Sequence, residues 1–342
     1  MCAGVFVCLR YGFKIVKVLS APFKNNSRFL RFLPCSAQMK VFTTLLLLAI
    51  TTAILLAQGS LTPPGAPAPT MKSLAQIEAR TALTNTANAA IIQPGSYYLT
   101  TNITVTSGHG VAILCSNVML DLNGFTLFST ESAANGYGIF LSNSVRNITI
   151  MNGFIRGGIT NNGSNTYTGP GFNYGISDLG GTVGNILISH VQVSGCRNGG
   201  IAVDLGSTTT IESCHVQSSG GSGLTASVVR DSSAIDCRTT GISSELITGC
   251  RGESQTSIGL NATVVKDSVG VTHSGTYGIN GSLVVNSHGH STGGTTGLKA
   301  RNAVGCTAVN LGPSNRAIES DVATSCLSLG GTNLIGTKYN MP

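Results

Sequence analysis

The sequence is poor in the residue types on which most catalytic and nucleic-acid-binding sites depend. Its 342 residues include no tryptophan, and aromatic residues make up only 6%. Charged residues make up 10%, against roughly a quarter in ordinary globular domains. No two acidic residues are adjacent, so any chemistry that needs a contiguous carboxylate pair is excluded. Glycine, in contrast, is abundant, with 44 residues.

The net charge of +7 comes from the N-terminal part of the chain. Residues 1–59 contain seven basic residues and no acidic one, whereas the remaining chain has 13 basic and 13 acidic residues. The chain after residue 59 is therefore neutral. Its composition gives no reason to expect binding to nucleic acid.

Residues 1–59 are typical of a leader that contains a signal peptide. Met39 and Lys40 precede an uncharged apolar run, residues 41–56, and Ala57-Gln58-Gly59 supplies the small residues that signal peptidase requires. We therefore expect translation to start at Met39 and the protein to be secreted, periplasmic or on the cell surface, with no stable membrane span after cleavage. One alternative is a genuine long basic extension before the signal. The other is an uncleaved membrane anchor, because about 17 apolar residues is the lower limit for a membrane span.

Three further segments are expected after the leader. Residues 60–70 are rich in proline and predict a stiff linker. Residues 71–90 predict an N-terminal cap with a short helix, which places Leu74 and Ile77 on one side to cover the open end of the next domain. Residues 91–342 are expected to form that single domain.

Two columns of residues recur at nearly constant spacing in the C-terminal half. A small side chain returns every 18 to 20 residues, at Cys196, Cys214, Ser232, Cys250, Ser268, Ser287, Cys306 and Cys326. A glycine followed by an aliphatic residue keeps the same period, at Gly200-Ile201, Gly223-Leu224, Gly241-Ile242, Gly259-Leu260, Gly278-Ile279 and Gly297-Leu298, with an imperfect Ala317-Ile318. Such a period is the signature of a solenoid.

The repeat unit predicts strands rather than helices. Each unit consists of β-branched segments interrupted every few residues by Gly, Ser, Asn or Asp. A unit of about 18 residues is too short for a pair of helices. If each unit is one coil, equivalent residues stack at roughly 4.8 Å, and the column of small residues points inward. We therefore expect an all-β parallel solenoid in which Leu224, Leu260, Ile279 and Leu298 form one buried stack.

The N-terminal half repeats the same strand with longer turns. Three similar segments start at Asn117, Asn147 and Asn185. The distance along the chain from each to the next is longer than the repeat of the C-terminal half. The surplus residues must leave the coil as loops. The two largest are expected near residues 129–135 and 160–173.

The motifs of this half resemble a known superfamily. Pro94-Gly95-Ser96-Tyr97-Tyr98-Leu99, Asn117 to Gly124 and Asn147 to Gly153, followed by short Gly-Ile repeats, look like bacterial secreted proteins with a right-handed parallel β-helix of the pectin-lyase-like superfamily. The resemblance covers residues 90–335. It implies a polysaccharide-related role, since that superfamily includes lyases, hydrolases and epimerases of acidic glycans. A left-handed β-helix is the alternative, but it needs an aliphatic residue every six positions, and the sixth residue after Leu224 is Arg230.

No complete catalytic or metal set can be assembled from the sequence. Gly108-His109-Gly110 resembles the Gly-His-Gly of polygalacturonases, but the aspartate pair that such hydrolases need is absent. His288 and His290 have metal-ligand spacing without further ligands nearby. We therefore expect no cofactor and no metal.

Two basic residues form a candidate binding pair on the repeats. Arg230 and Lys266 each precede the small-residue column by two positions and lie two coils apart, so their side chains should share a face at roughly 10 Å. Asp231 and Asp267 follow them. The pair can serve as two subsites for an acidic glycan, or as ordinary solvated charges with adjacent counter-ions.

A second candidate site surrounds the long front loop. Tyr167 and Tyr174 lie among Asn and Gly, with Arg156 before the loop and Asp178 after it. Amphipathic rings beside a groove can stack on sugars, and an arginine can pair with a carboxylate. The alternative is that the rings pack the loop onto the coils.

Seven cysteines follow residue 59. Bridges between Cys196 and Cys214 or between Cys306 and Cys326 are conceivable for stacked positions. However, serine replaces cysteine at three column positions, and the odd total leaves a free thiol. Packing of small residues is therefore the preferred explanation of the column.

These observations predict an exported or cell-surface protein that binds polysaccharide or builds surface structure, without catalysis. The alternative is a lyase or epimerase that acts on an acidic glycan.

Overall fold

The computed structural model describes residues 79–84, 87–178, 180–206, 208–312, 316–330 and 332–339. The leader, the linker and residues 71–78 of the predicted capping helix lie outside these residues. The described part of the predicted cap contains two short strands, Thr81–Leu83 and Ala89–Ile91, which pair with strands of the following coils. The described chain is all-β and contains no helix, and hence none long and apolar enough to cross a membrane.

The described chain forms twenty-nine strands. In the front half they are β1 Thr81–Leu83, β2 Ala89–Ile91, β3 Gly95–Leu99, β4 Ile103–Val105, β5 Val111–Ile113, β6 Val118–Asp121, β7 Thr126–Ser129, β8 Tyr137–Leu141, β9 Arg146–Arg156, β10 Thr160–Asn161, β11 Tyr167–Thr168, β12 Tyr174–Ser177, β13 Gly184–Cys196 and β14 Gly199–Ala202. The rear half contains β15 Thr209–Glu212, β16 His215–Ser219, β17 Ser222–Arg230, β18 Ser233–Cys237, β19 Ile242–Thr248, β20 Arg251–Ser254, β21 Ile258–Lys266, β22 Val269–Thr272, β23 Tyr277–Val285, β24 His288–Ser291, β25 Thr296–Val304, β26 Thr307–Asn310, β27 Arg316–Thr324, β28 Leu327–Leu329 and β29 Thr332–Tyr339.

Parallel pairing between successive coils arranges these strands into three faces. Face A contains β2, β5, β8, β12, β14 and the first parts of β17, β19, β21, β23, β25, β27 and β29. Face B contains β1, β3, β6, the first parts of β9 and β13, β15, and the second parts of β17 and the later long strands. Face C contains β4, β7, the ends of β9 and β13, and the short strands β16 to β28 that alternate with the long ones. The chain is therefore a parallel β-solenoid of about twelve coils, as the repeat predicts.

The aliphatic column forms the continuous core of face A. The register pairs Ile201, Leu224, Ile242, Leu260, Ile279, Leu298 and Ile318 in succession. Each of these side chains is fully buried. The predicted buried stack of Leu224, Leu260, Ile279 and Leu298 is confirmed.

The small-residue column differs from the prediction at its first member. Cys196 ends a strand of face C and is paired with Ser219, whereas Cys214 lies at the corner between faces B and C. The reason is coil length, because the coil that follows Cys196 is longer than the rear coils and reaches the equivalent position only at Ser219. The column thus begins at Cys214, and a bridge between Cys196 and Cys214 is not possible in this register.

The described cysteines are free thiols, and six of the seven are buried. Cys306 and Cys326 are neighbours in the column, since the Cys306 amide donates to the Cys326 sulfur at 3.4 Å. Burial raises the pKa of Cys196 to about 12 and that of Cys214 to about 11. These two thiols are therefore protonated at neutral pH and weak nucleophiles.

A left-handed backbone position explains the residue before each column member. Asp231, Asp267 and Asn286 have φ values of 46°, 50° and 45° at the corner between faces B and C. Asn and Asp tolerate this conformation better than most residues do. The Asp-Ser and Asn-Ser pairs of the repeat are thus turn signals, and they carry no chemistry by themselves.

The three similar front segments stack on face B as predicted. Val118 pairs with Ile148, and Ile148 pairs with Ile186. Asn147 donates to Asn117 at 2.7 Å, and Asn185 donates to Asn147 at 2.8 Å, which forms an amide ladder along the corner. The two largest loops leave at the corner between faces C and A, where the longer one contains the antiparallel hairpin of β10 and β11. Smaller surpluses leave at the corner between faces A and B, after β12 and β14.

Candidate functional site

The six residues singled out in the sequence do not converge on one site. Arg156 lies on face C, and Tyr167 lies in the hairpin of the long loop. Tyr174 begins a strand of face A, and Asp178 follows that strand at the corner toward face B. Arg230 and Lys266 lie on face B. The structure therefore separates them into four regions, each with a different environment.

Arg156 lies in a groove on the front part of face C. Its side chain is exposed at the end of β9, between Phe128 on one neighbouring coil and Ser194 on the other. The groove has a volume of about 460 Å³. Its lining residues are Asn102, Thr104, Thr126, Phe128, Arg156, Gly157 and Ser194. Within the described chain, the Arg156 guanidinium has no hydrogen-bond or ion-pair partner.

Phe128 is a groove residue that the sequence reasoning missed. It is 39% exposed, whereas Leu127 before it and Ser129 after it are fully buried. This alternation was visible in the sequence, because a strand with Leu127 inward must direct Phe128 outward. Phe128 therefore presents an aromatic ring to solvent one coil away from the Arg156 guanidinium.

The hairpin of the long loop is fastened to a rear coil through Asp236. The Tyr167 hydroxyl donates to Asp236 Oδ1 at 2.6 Å, and Asn161 Nδ2 donates to the same oxygen at 2.9 Å. Ser218 and Gln255 also donate to this carboxylate, at 2.9 and 3.2 Å. Burial and the Asp236 carboxylate both raise the pKa of Tyr167, so its hydroxyl stays a proton donor. Tyr167 thus packs the loop onto the coils.

We expect Asp236→Ala to release this hairpin. The substitution removes the acceptor of four donors, and hydrogen bonds to charged groups contribute roughly 1.5–3 kcal/mol. The free energy of unfolding, measured in a urea titration, should fall by about 2–4 kcal/mol. A protease should also cleave the released segment between residues 160 and 168.

Asp236→Asn is the matched control, because it keeps an acceptor oxygen and tolerates the left-handed φ of 53° at this position. Its loss should be smaller than that of the alanine variant. Equal stability and equal protease resistance of Asp236→Ala and the unmodified protein would contradict the role given to this carboxylate.

Tyr174 belongs to an aromatic cluster on the outside of face A. Its ring stacks on Tyr137 with centroids 5.7 Å apart, and its other side lies over Gly199, where a Cβ atom would come within 2.6 Å of the ring. His109 stacks on Phe140 at 5.0 Å and contacts Tyr137 at 5.1 Å. Both faces of Tyr174 are thus covered by its neighbours along the solenoid. Its edge and hydroxyl are the parts left to meet a ligand.

His109, the central residue of the Gly-His-Gly motif, has a structural environment. Its backbone N–H donates to Asn88 Oδ1 at 2.7 Å, and its Nδ1 accepts from the Tyr137 amide at 3.2 Å. Burial lowers its pKa, although the nearby Glu131 carboxylate acts in the opposite direction. The neutral imidazole is therefore favoured at neutral pH, and it joins two successive coils.

Asp178 is buried and closes the turn after β12. Its carboxylate accepts from the Gly180 amide at 3.0 Å and from the Asp204 amide at 3.2 Å. Burial raises its pKa against the opposing effect of these amides. Together with Tyr174 and Asp204 it lines a shallow groove of about 380 Å³ at the corner of faces A and B.

Arg230 and Lys266 occupy one outward file of face B, with Thr248 between them. The spacing of two coils corresponds to roughly 10 Å. The Lys266 ammonium lies 3.7 Å from the Asp267 carboxylate, and both side chains are about half exposed. An exposed pair of this kind contributes little to stability.

Among the described residues, no group of three or more His, Cys, Asp or Glu side chains is placed to hold a metal ion. The His288 and His290 rings lie 6.2 Å apart on face C.

Comparison with known proteins finds no matching family model, no matching curated protein and no matching solved structure. The class of protein is therefore defined by its fold and its surface. It is a parallel β-solenoid with an arginine-containing groove on its front coils.

Proposed function

We propose that this protein is an exported or cell-surface solenoid that binds an acidic polysaccharide without transforming it. The observation that carries the proposal is the Arg156 groove. A guanidinium without a protein partner in the described chain lies there among amide and hydroxyl side chains, next to an exposed aromatic ring.

The side chains of this groove suit a sugar polymer that carries carboxylates. The planar Arg156 guanidinium can donate two parallel hydrogen bonds to one carboxylate. Thr104, Thr126 and Ser194 add hydroxyl groups on neighbouring coils, and the Phe128 ring adds an apolar surface for the face of a sugar. Equivalent positions repeat at roughly 4.8 Å along the solenoid, so an extended chain can make similar contacts on successive coils.

The other residues of the front region support the same proposal in different ways. Tyr167 holds the long loop against the rear coils, and this loop begins at Gly157, on the edge of the groove. The Tyr174 hydroxyl and the Asp178 turn lie around the corner, on face A. They are proposed as secondary contacts for a glycan that continues over the loop.

The resemblance of the sequence motifs adds the finer part of the proposal. It favours a right-handed coil of the pectin-lyase-like kind in a bacterial protein, with residues 1–59 as an export leader. The acidic polysaccharides handled by that superfamily are the ligands to test first.

Arg156→Ala is expected to weaken binding of pectate, alginate or chondroitin by about 5- to 150-fold, which corresponds to about 1–3 kcal/mol for loss of a principal contact. Arg156→Lys should recover only part of the affinity, because an ammonium lacks the bidentate geometry. Isothermal titration calorimetry at fixed ionic strength measures both.

Arg238→Ala is the control, since Arg238 is an exposed arginine outside the groove and its loss changes the net charge equally. If both alanine variants bind as the unmodified protein does, the Arg156 groove is not the site. If both weaken binding equally, the attraction is a general charge effect.

A lyase or epimerase acting on an acidic glycan is the second candidate, and it depends on the alignment of Arg230 and Lys266 on face B. A lyase would release unsaturated products that absorb in the ultraviolet, and an Arg230→Ala/Lys266→Ala variant would abolish that signal. Binding without product formation favours the first proposal.

A further inference from the structure

Face B carries an apolar strip on its outer surface. One outward file passes through successive coils in the order Met119, Thr149, Leu187, Thr210, Val228, Leu246, Val264, Leu283, Asn302 and Val322. Seven of these ten residues are aliphatic or methionine. Met119 is 43% exposed and Leu283 is 37% exposed. We call this file the apolar strip.

The strip is a property of its residues and not of the solenoid as such. The equivalent outward file of face A, on the same rear coils, contains Ala202, Thr225, Ser243, Asn261, Asn280, Lys299 and Glu319. That file is polar or charged at all but one position. A mainly apolar strip on one face only, interrupted at Thr149, Thr210 and Asn302, is typical of an interaction surface.

A second outward file of face B lies beside the strip and contains the charges. In coil order it runs Asp121, Met151, Ser189, Glu212, Arg230, Thr248, Lys266, Val285, Val304 and Thr324. The acidic residues occupy the front part of this file and the basic ones follow them. Glu212 has no hydrogen-bond or ion-pair partner for its carboxylate within the described chain.

We propose that face B packs against face B of a second copy of this chain, with the two solenoids antiparallel. The two-fold axis runs parallel to the strands, between the coil of Arg230 and the coil of Thr248. Such an axis keeps each file opposite itself and reverses the order of the coils, as an isologous interface requires.

This single register brings side chains of the same kind, or of opposite charge, together at most positions of the two files, and the exceptions are Thr210 opposite Val264 and Ser189 opposite Val285. In the apolar strip it places Met119 opposite Val322, Thr149 opposite Asn302, Leu187 opposite Leu283 and Val228 opposite Leu246. In the second file it places Met151 opposite Val304 and Glu212 opposite Lys266. Apolar side chains thus meet apolar ones at four pairs, and the unpartnered carboxylate meets an ammonium. The charge complementarity of Glu212 and Lys266, whose ammonium otherwise lies 3.7 Å from the exposed Asp267 carboxylate, is what selects a second copy as the occupant.

The size of the surface predicts a weak dimer. Ten coils span roughly 45 Å and a three-residue strand is roughly 10 Å wide, so the footprint is about 450 Å² on each copy. A standard stable interface uses about 800 Å² on each partner. We therefore expect dissociation constants in the micromolar range or weaker, and a dimer that forms with rising concentration.

Sedimentation velocity on the full-length chain, at concentrations from roughly 1 µM to roughly 1 mM, tests the proposal over the expected range of dissociation constants. Leu246→Asp, near the axis, should weaken dimerisation at least 10-fold. Ser243→Asp is the matched control on face A of the same coil, and it should change nothing. Any association through the N-terminal segment is common to all variants. Circular dichroism establishes that each variant is folded.

A charge exchange tests the register itself. Glu212→Lys and Lys266→Glu should each weaken the dimer, because each places like charges opposite one another. The Glu212→Lys/Lys266→Glu double variant should restore it to within about threefold, as a double-mutant cycle requires for a direct pair. A monomer at every concentration, an effect of Ser243→Asp equal to that of Leu246→Asp, or a double variant no better than the single ones would each overturn the proposal.

Discussion

Leu260→Asp is expected to unfold the central coils of the solenoid. The Leu260 side chain is 0% exposed and lies between Ile242 and Ile279 in the aliphatic column. An aspartate there would place an unpaired charge, or a protonated carboxyl, among apolar side chains at a cost of several kcal/mol. That cost is comparable with the total stability of an ordinary domain, about 5–15 kcal/mol.

A urea titration followed by circular dichroism measures the loss. Thr263→Asp is the control, because Thr263 is exposed in the same coil, shortly after Leu260. It should change the free energy of unfolding by no more than about 0.5 kcal/mol, as surface substitutions usually do. Equal stability of the two aspartate variants would mean that the coil register described for face A is wrong.

Gly259→Ala is also expected to have a large effect, although it adds a single methyl group. A Cβ atom at this position would lie 2.5 Å from the Val271 backbone nitrogen and 2.6 Å from the Gly278 carbonyl oxygen. These atoms belong to face C and to the next coil of face A, and they cannot move without separating the two faces. Overpacking of this kind costs roughly 1–3 kcal/mol, and more where backbone must shift. We therefore expect a loss of about 3 kcal/mol.

Gly206→Ala is the matched substitution at a glycine with room. The nearest atom to a Cβ there is Asp204 Oδ1, at 3.7 Å, which is an ordinary contact. The melting temperatures of the two alanine variants separate the effect of the steric contact at Gly259 from the general effect of replacing a glycine. Similar melting temperatures would show that faces A and C are not as close as described.

The two substitutions concern neighbouring residues and explain why the repeat could be recognised. In each coil from that of Gly200 to that of Gly297, the position of Gly259 lacks a side chain because two faces meet there, whereas Ala317 occupies it in the next coil; the position of Leu260 must fill the space between coils. Both requirements recur once per coil, so they appear in the sequence as a period. The left-handed φ before the small-residue column recurs in the same way and selects Asn, Asp, Gly or Ser.

The first cysteine shows where that reasoning fails. The spacing from Cys196 to Cys214 equals the period of the coils that follow, and it suggests a stacked pair. The actual coil is longer than that period, so Cys196 aligns with Ser219. A constant period identifies equivalent residues only while the loops keep a constant length, and the front coils do not.

The candidate site likewise contains residues that the sequence could predict and contacts that it could not. Arg156 was predicted as a glycan contact from its place before the long loop, and the alternation around Leu127 would have added Phe128. The covered faces of Tyr174 could not be foreseen, because they depend on Tyr137 in the preceding coil and on Gly199 in the following one.

The sequence by itself determined the architecture of this protein, because the inward positions of every coil face the same packing problem and therefore repeat the same residue types. Only the tertiary structure decided what the surface presents. Tyr167 meets Asp236 across 69 residues because its long loop leaves the coil and folds onto a rear coil. Tyr174 lies between Tyr137 and Gly199 because front coils of unequal length bring these residues into register. Outward positions carry no common packing requirement, so their partners leave no period in the sequence.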